Sequence, residues 1–252
     1  MITSKKLSKF KSITHGFFDR KNGTSIGIYK SLNCGLGSYD DKKKVLRNLK
    51  IVCKKIKCLP KNLILLNQIH SDKYYLINKK NKINKKFKGD ALITSLKKVA
   101  IGVLTADCVP VLIYDKKLKI VSVVHAGWRG IHKQIVVKVI KFLKKKGSRL
   151  KNLIVSIGPC ISEKNYEVKK DFITKFIKKD KKNKVFFKKV KNKTYFSLNK
   201  CVSYQLKKIG IKNIEIINKD TFNKKNNFFS ARRSLLRKEI DYGRNISVIM
   251  IN

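Results

Sequence analysis

Three apolar segments of this chain each deliver a side chain able to bind a transition metal. His70 closes NQIH at 67–70, Cys108 lies in TADC at 105–108, and His125 ends the apolar run that starts at Ile120. Imidazole nitrogen and thiolate sulfur together suit zinc. Three protein ligands leave a fourth position for water or substrate, which is the catalytic arrangement. The spacing is long and irregular, so residue types alone leave two other readings open. One is a pair of core histidines beside a buried thiol. The other is a metal-free Cys108–His125 nucleophile pair, as in a cysteine hydrolase or amidase.

Several neighbours add to the candidate site. Asp107 directly precedes Cys108 and could orient a ligand, act as acid or base, or hold the turn. Arg129 follows Gly127 and Trp128 ahead of an expected helix N-terminus, a setting that suits phosphate or carboxylate. Trp128 could stack on a substrate ring. Arg232 and Arg233 in FFSARR are a rare arginine pair in a lysine-rich chain, and His15 could line a pocket. Cys160, after Gly158-Pro159, lacks a basic neighbour in sequence and reads as structural. His132 reads as surface. No P-loop, dinucleotide fingerprint, HExxH or GxSxG is present, which argues against a nucleoside triphosphatase, a nicotinamide-dependent dehydrogenase and an α/β-hydrolase.

The elements that must position these residues alternate. LILL at 63–66 reads as a buried strand, and 99–115 as two strands broken at TADCVP, with Pro110 as the cause of the break. Residues 119–125 read as another strand, followed by a helix from about Ile131. The spacing of Val45, Leu49, Val52 and Ile56 predicts a helix capped by Asp40 or Asp41. Further strands are expected at 153–160, 214–217 and 246–251. Helices are expected around Phe172–Ile177 and from Ser197 to Gly210. Residues 78–88 read as a solvated loop, and 180–194 as basic and unpatterned. Strands alternating with helices favour an α/β fold, a mixed sheet covered on both faces, in one domain over 1–252. Such sheets carry functional residues at strand ends.

Composition limits the alternatives. The 252 residues are 42% apolar, enough for a core, and carry 62 Lys plus Arg against 15 Asp plus Glu, a net charge of +47. A basic nucleic-acid-binding protein is therefore a competing class. The lysines are spread along the whole chain, however, and no arginine forms a base-reading motif, so no specific nucleic-acid partner is expected. Six cysteines form no CxxC pair, and no signal peptide or membrane-length apolar run is visible. A cytoplasmic protein with reduced thiols and no membrane partner is expected. Oligomeric state is not legible.

Taken jointly and in order, HGFFDRKNG (15–23), SLNCGLG (31–37), NQIH (67–70), GDALIT (89–94), TADCVPVLIYD (105–115), VVHAGWRG (123–130), IGPCI (157–161), YEV (166–168) and FFSARR (228–233) resemble the YfiH family, also called the laccase-domain or polyphenol-oxidase-like family. The resemblance implies a three-layer α/β/α fold around a mixed sheet, similar to that of the cytotoxic-necrotizing-factor-like toxin deamidases. It implies zinc on His70, Cys108 and His125, with copper as the lesser choice. It further implies a purine nucleoside phosphorylase with adenosine deaminase activity, acting on adenosine, inosine or methylthioadenosine with phosphate. In that reading Asp107 and Arg129 are catalytic, and His15, Asn33, Gln68, Trp128 and Arg232 bind substrate. A copper-dependent polyphenol oxidoreductase is an alternative, against which four histidines (His15, His70, His125, His132) argue as too few for a multicopper centre. Two departures stand out: Ser71 replaces a glycine after NQIH, and KDTF at 219–222 lacks a cysteine the family carries before FFSARR.

Overall fold

The computed structural model describes residues 1–81 and 87–252; part of the expected 78–88 loop lies outside the described residues. Strand β1 is Ile13–Phe17 and helix α1 is Lys42–Lys55. Strands β2 (Leu63–Ile64), β3 (Tyr74–Ile77), β4 (Ala91–Thr94), β5 (Ala100–Thr105), β6 (Val109–Asp115) and β7 (Ile120–Ala126) follow. Next come α2 (Trp128–His132), α3 (Ile135–Lys145), β8 (Leu153–Ile157), β9 (Glu167–Val168) and α4 (Lys170–Lys179). The chain continues with β10 (Phe187–Val190), β11 (Lys193–Phe196), α5 (Leu198–Lys208), β12 (Ile214–Ile216), α6 (Ala231–Leu236) and β13 (Asn245–Ile251).

Two mixed sheets form the middle of the molecule, in the orders β12-β8-β6-β7-β4-β3 and β1-β13-β5-β2. Their strands are apolar on both faces because both faces are covered. On β13, Ile249 and Ile251 share a core with Leu112, Tyr114, Val121 and Val123 of the larger sheet. The alternate residues Ile246, Val248 and Met250 instead pack with Val52 and Ile56 at the end of α1. The other face of the larger sheet, with Val111, Ile113 and Val124, packs against α2, α3 and α5. The fold is thus the expected α/β/α arrangement, with a sheet layer of two mixed sheets face to face.

Local chemistry explains the boundaries. Asp41 starts α1, its carboxylate accepting the Lys43 N–H. The helix expected from Ile131 starts earlier, at Trp128, and breaks at Gln134, which is left-handed (φ 60°). Pro110 does not end a strand. It lies within β6 opposite His125, whose own N–H points to Asp90 on the other side. The missing proline N–H therefore faces the β8 side, where the ladder begins only at Val111. Residues 180–194, expected to be unpatterned, include β10 and part of β11, which pair antiparallel and form a third sheet with β9. Among the described residues no helix is long and apolar enough to cross a membrane.

Candidate metal centre

His70, Cys108 and His125 converge at one end of the two sheets. Cys108 lies on the turn between β5 and β6, made possible by Asp107 in a left-handed conformation (φ 88°). His125 is the penultimate residue of β7. His70 is itself left-handed (φ 54°), and the loop after it is held by Asp90, whose carboxylate accepts the backbone N–H groups of His70 (3.0 Å) and Ser71 (2.5 Å). One donor atom from each of the three residues lies within 4.8 Å of the others. The two imidazoles meet edge to face, with centroids 4.8 Å apart. His125 is buried, Cys108 half-buried and His70 exposed, so the centre opens to one side.

Asp90 is the functional residue that sequence reasoning quoted, in GDALIT, without giving it a role. Its Oδ1 lies 2.8 Å from His125 Nδ1, which leaves Nε2 for a metal, the arrangement in which a carboxylate fixes the tautomer of a ligating histidine. Ser71, the departure from the family's glycine, donates its hydroxyl to the same carboxylate (2.7 Å). Burial would raise Asp90, but the His125 and Ser71 hydrogen bonds outweigh it and lower it. Burial would likewise raise the Cys108 thiol; the adjacent His125 and His70 bring it down to about 7. Burial would lower His125; the Cys108 thiolate and Asp90 push it up to about 9. Without metal, cysteine and histidine thus form a thiolate–imidazolium pair near neutral pH.

A cavity of about 310 Å³ lies over the three ligands, walled by Gln68, Thr105, Tyr242 and Arg244. Among the described residues no carboxylate lines it. A larger open groove of about 570 Å³ runs among Lys138, Lys141 and Lys145 on α3 and carries none of the ligands. Tyr242 and Arg244 were not singled out in sequence. The Arg244 guanidinium lies 4.7 Å from the Tyr242 ring centroid, donates to the Tyr242 carbonyl and pairs loosely with Asp241 at 3.5 Å.

The other expected site residues are placed as follows. Gln68 lines the cavity, and its amide pairs with the Leu104 backbone through two 2.7 Å bonds. Asn33 is buried, donating to Ser38 and Asp40 and accepting the Gly35 and Arg244 N–H groups, so it bears on the cavity through Arg244. Asp107 is buried, with one oxygen accepting the Thr221 hydroxyl and the other the Ser230 hydroxyl and the Arg232 N–H. Arg129 is exposed within α2, its guanidinium 5.3 Å from the Trp128 ring; Trp128 packs on Phe172. Arg232 donates to the Glu167 carbonyl and covers Tyr166. His15 lies on β1, buried, and its Nε2 accepts the Ser4 N–H. None of these last six lines the cavity.

Residues 14–252 match the protein family described as multi-copper polyphenol oxidoreductase laccase. The chain belongs to this laccase family. A protein of Bacteroides thetaiotaomicron named purine nucleoside phosphorylase is 31% identical over 264 aligned positions, covering 100% of this chain and 96% of that protein. One of Rickettsia prowazekii with the same name is 32% identical, covering 89% and 90%. Two crystal structures share the fold. The Neisseria meningitidis protein NMB0706, of family DUF152, has a TM-score of 0.85 at 28% identity, covering 96% and 95%. The Bacillus licheniformis hypothetical protein YfiH has a TM-score of 0.86 at 27% identity, covering 95% and 93%.

These findings correct the expected zinc-dependent purine nucleoside phosphorylase with adenosine deaminase activity. The matched family is a copper polyphenol oxidoreductase, and the donor set is two histidines and one cysteine. The geometry agrees with the correction. Zinc deamination needs a carboxylate to shuttle protons, and none of the described residues lining the cavity supplies one; of the arginines expected to hold phosphate, Arg129 lies exposed beside Trp128 outside the cavity and Arg232 donates to the Glu167 carbonyl. The preference for zinc over copper is corrected with it. Copper(II) stands above zinc in affinity for a given nitrogen and sulfur site, and the two-histidine, one-cysteine set is consistent with copper.

Gly127 carries a further consequence. A Cβ on it would lie 3.0 Å from both Cys108 Sγ and His70 Cδ2. Gly127→Ala is expected to push the ligands apart and lower metal affinity about 10- to 100-fold, the scale seen when support for metal ligands is lost. Competition against a chelator measures it, with circular dichroism as the check that the fold is intact.

Proposed function

We propose that this chain is a copper-dependent polyphenol oxidoreductase acting as one catalytic domain over 1–252, with His70, Cys108 and His125 as the ligands of a single copper. The observation that carries this reading is the His₂Cys donor set inside a chain of the laccase family. Copper, when bound, supplies one-electron oxidation of a phenol, with dioxygen as final acceptor. The protein does the rest. Asp90 holds His125 in the ligating tautomer. Gln68, locked to the Leu104 backbone, forms one wall, while Tyr242 and Arg244 offer a ring and a planar cation to a phenol or phenolate at the opening. His15 accepts from Ser4 and His132 packs on Phe176, which supports a single metal on the three residues that come together among the described ones. A reducing, cytoplasmic setting fits the six cysteines, which form no disulfide among the described residues.

The test is metal analysis and turnover on one preparation, loaded separately with copper and zinc, beside His70→Ala. Catechol oxidation with matching dioxygen uptake, present only with copper and lost in the variant, is expected. Because curated relatives are named purine nucleoside phosphorylases, adenosine with phosphate is assayed in parallel. Phosphate-dependent release of adenine without phenol oxidation would overturn the copper reading. Hydrolase activity of metal-free protein, abolished by alkylating Cys108, would replace it with the thiolate–imidazolium pair as nucleophile and base.

A further inference from the structure

Among the described residues, five of the six most exposed large apolar side chains gather in one region: Ile26, Tyr39, Leu235, Leu236 and Ile240, each 65 to 85% exposed. Hydrogen bonds join the three segments that carry them. Asp241, next to Ile240, accepts the Tyr29 hydroxyl at 2.9 Å and the Tyr39 N–H at 2.8 Å. The Tyr29 N–H closes a turn onto the Ile26 carbonyl. Leu235 and Leu236 end α6, and the Glu239 N–H returns to the Ser234 carbonyl, which keeps Ile240 beside that helix. Single exposed apolar residues are ordinary; a group drawn from three segments marks a contact surface.

A cavity of about 220 Å³ adjoins the group, walled by Ile28, Ser234 and three arginines, Arg20, Arg233 and Arg237. These are three of only eight arginines in the chain. The Arg20 guanidinium lies over the Phe229 ring, 4.6 Å from its centroid, and Phe229 lines the same cavity. Burial and the charges of Arg233 and Arg237, against the pull of Glu239, hold Arg20 below its usual range. The nearest carboxylates are already engaged, Glu239 with Arg237 at 3.6 Å and Asp241 with Tyr29 and Tyr39. Guanidinium groups so gathered suit a phosphate.

Aliphatic side chains beside a cationic pocket narrow the partner. A second copy would bring one chain of net charge +47 against another. A single-stranded nucleic acid would use aromatic rings for stacking, and of the five exposed residues only Tyr39 has one. An anionic bilayer satisfies both features, since aliphatic side chains enter the acyl boundary while arginines meet lipid phosphates. We propose that this face docks on an anionic phospholipid surface, with Leu235, Leu236, Ile240 and Ile26 at the acyl boundary and Arg20 and Arg237 on a lipid phosphate. Docking of this kind needs no membrane-length helix, the feature whose absence led to the expectation of no membrane partner.

Vesicle co-sedimentation of the full chain at about 0.15 M salt tests this. Binding to mixed phosphatidylglycerol–phosphatidylcholine vesicles is expected, and none to phosphatidylcholine alone. Leu236→Ser with Ile240→Ser keeps every charge and should weaken binding at least about tenfold. Arg237→Glu should do the same, whereas Lys144→Glu, an equal change of charge on an exposed residue in the last turn of α3, should alter it less than about twofold. Circular dichroism checks that each variant is folded. Equal binding to both vesicles, an equal loss with Lys144→Glu, or wild-type binding by the two-serine variant would overturn the proposal. So would a dimer in vesicle-free sedimentation equilibrium that the two-serine variant dissolves, which would give this face to a second copy.

Discussion

Asp107→Ala is expected to cost about 3 kcal/mol or more of folding stability while leaving the metal ligands able to bind. The cause is the number of donors that converge on one buried carboxylate: the Thr221 and Ser230 hydroxyls and the Arg232 N–H. Each donor left buried and unpaired costs about 1–3 kcal/mol. The carboxylate also ties together three segments far apart in sequence. It joins the β5–β6 turn to the loop at Thr221 and to the first turn of α6, where Ser230 is the cap. Arg233 completes the knot from the other side, donating to the carbonyls of Thr221, Phe222 and Phe228. Burial holds the Asp107 carboxyl above its usual range, against the pull of those three hydrogen bonds. Asp107→Asn keeps an acceptor for the Arg232 N–H and should cost less, about 1–2 kcal/mol. Urea unfolding of both variants gives the numbers. A catalytic acid or base at this position predicts the reverse pattern: Asn abolishing turnover with stability unchanged.

That contrast marks where the sequence stops being legible. The cluster of His70, Cys108 and His125 is readable as a candidate metal site because soft and borderline donors following apolar strands are few, and a strand end limits where they can go. Asp107 is readable as important, being next to Cys108, but its partners lie 114 to 125 positions away, and nothing local distinguishes an acid from a cap. The same holds for Asp90, which meets His125 across a separation of 35 residues. Tyr242 and Arg244 become cavity wall only because Asn33 holds the Arg244 backbone, and because Gly35 has no side chain where a Cβ would lie 2.5 Å from Arg244 Cδ. The buried strands are legible because both faces are covered, which makes the apolar runs continuous. The β10–β11 pair is not, because Lys188, Lys189 and Val190 are all exposed and leave no period of two to read. The α2–α3 break is masked for the opposite reason. Ile131, Ile135, Val136 and Val139 keep helical spacing across Gln134, so the pattern runs on where the backbone does not.

The charge state of the centre gives the other large expected effect. Cys108 at about 7 and His125 at about 9 titrate as a pair, so the two values belong to the couple. Ligation requires a thiolate and a neutral imidazole, so binding expels whatever protons the pair still holds. Between pH 7 and 9 that is about one proton, the one on His125. As the pH falls through 7, Cys108 adds about one more. The pair therefore contributes a rise in metal affinity of about tenfold per pH unit from 7 to 9, and of about a hundredfold per unit below 7. Calorimetry in buffers of different ionisation enthalpy counts the protons directly. Cys108→Ser removes the thiolate and the lower step together, with an affinity loss of at least about 100-fold. Asp90→Asn acts through His125 alone. It keeps one oxygen, enough for the His70 N–H and His125 Nδ1, loses the acceptor of the Ser71 N–H and removes the charge that holds the imidazolium, so the upper step should move to lower pH and affinity fall about 10- to 100-fold. An Asp90 that served only to brace the loop would leave the proton count unchanged in that variant, because both titrating groups would keep their wild-type surroundings.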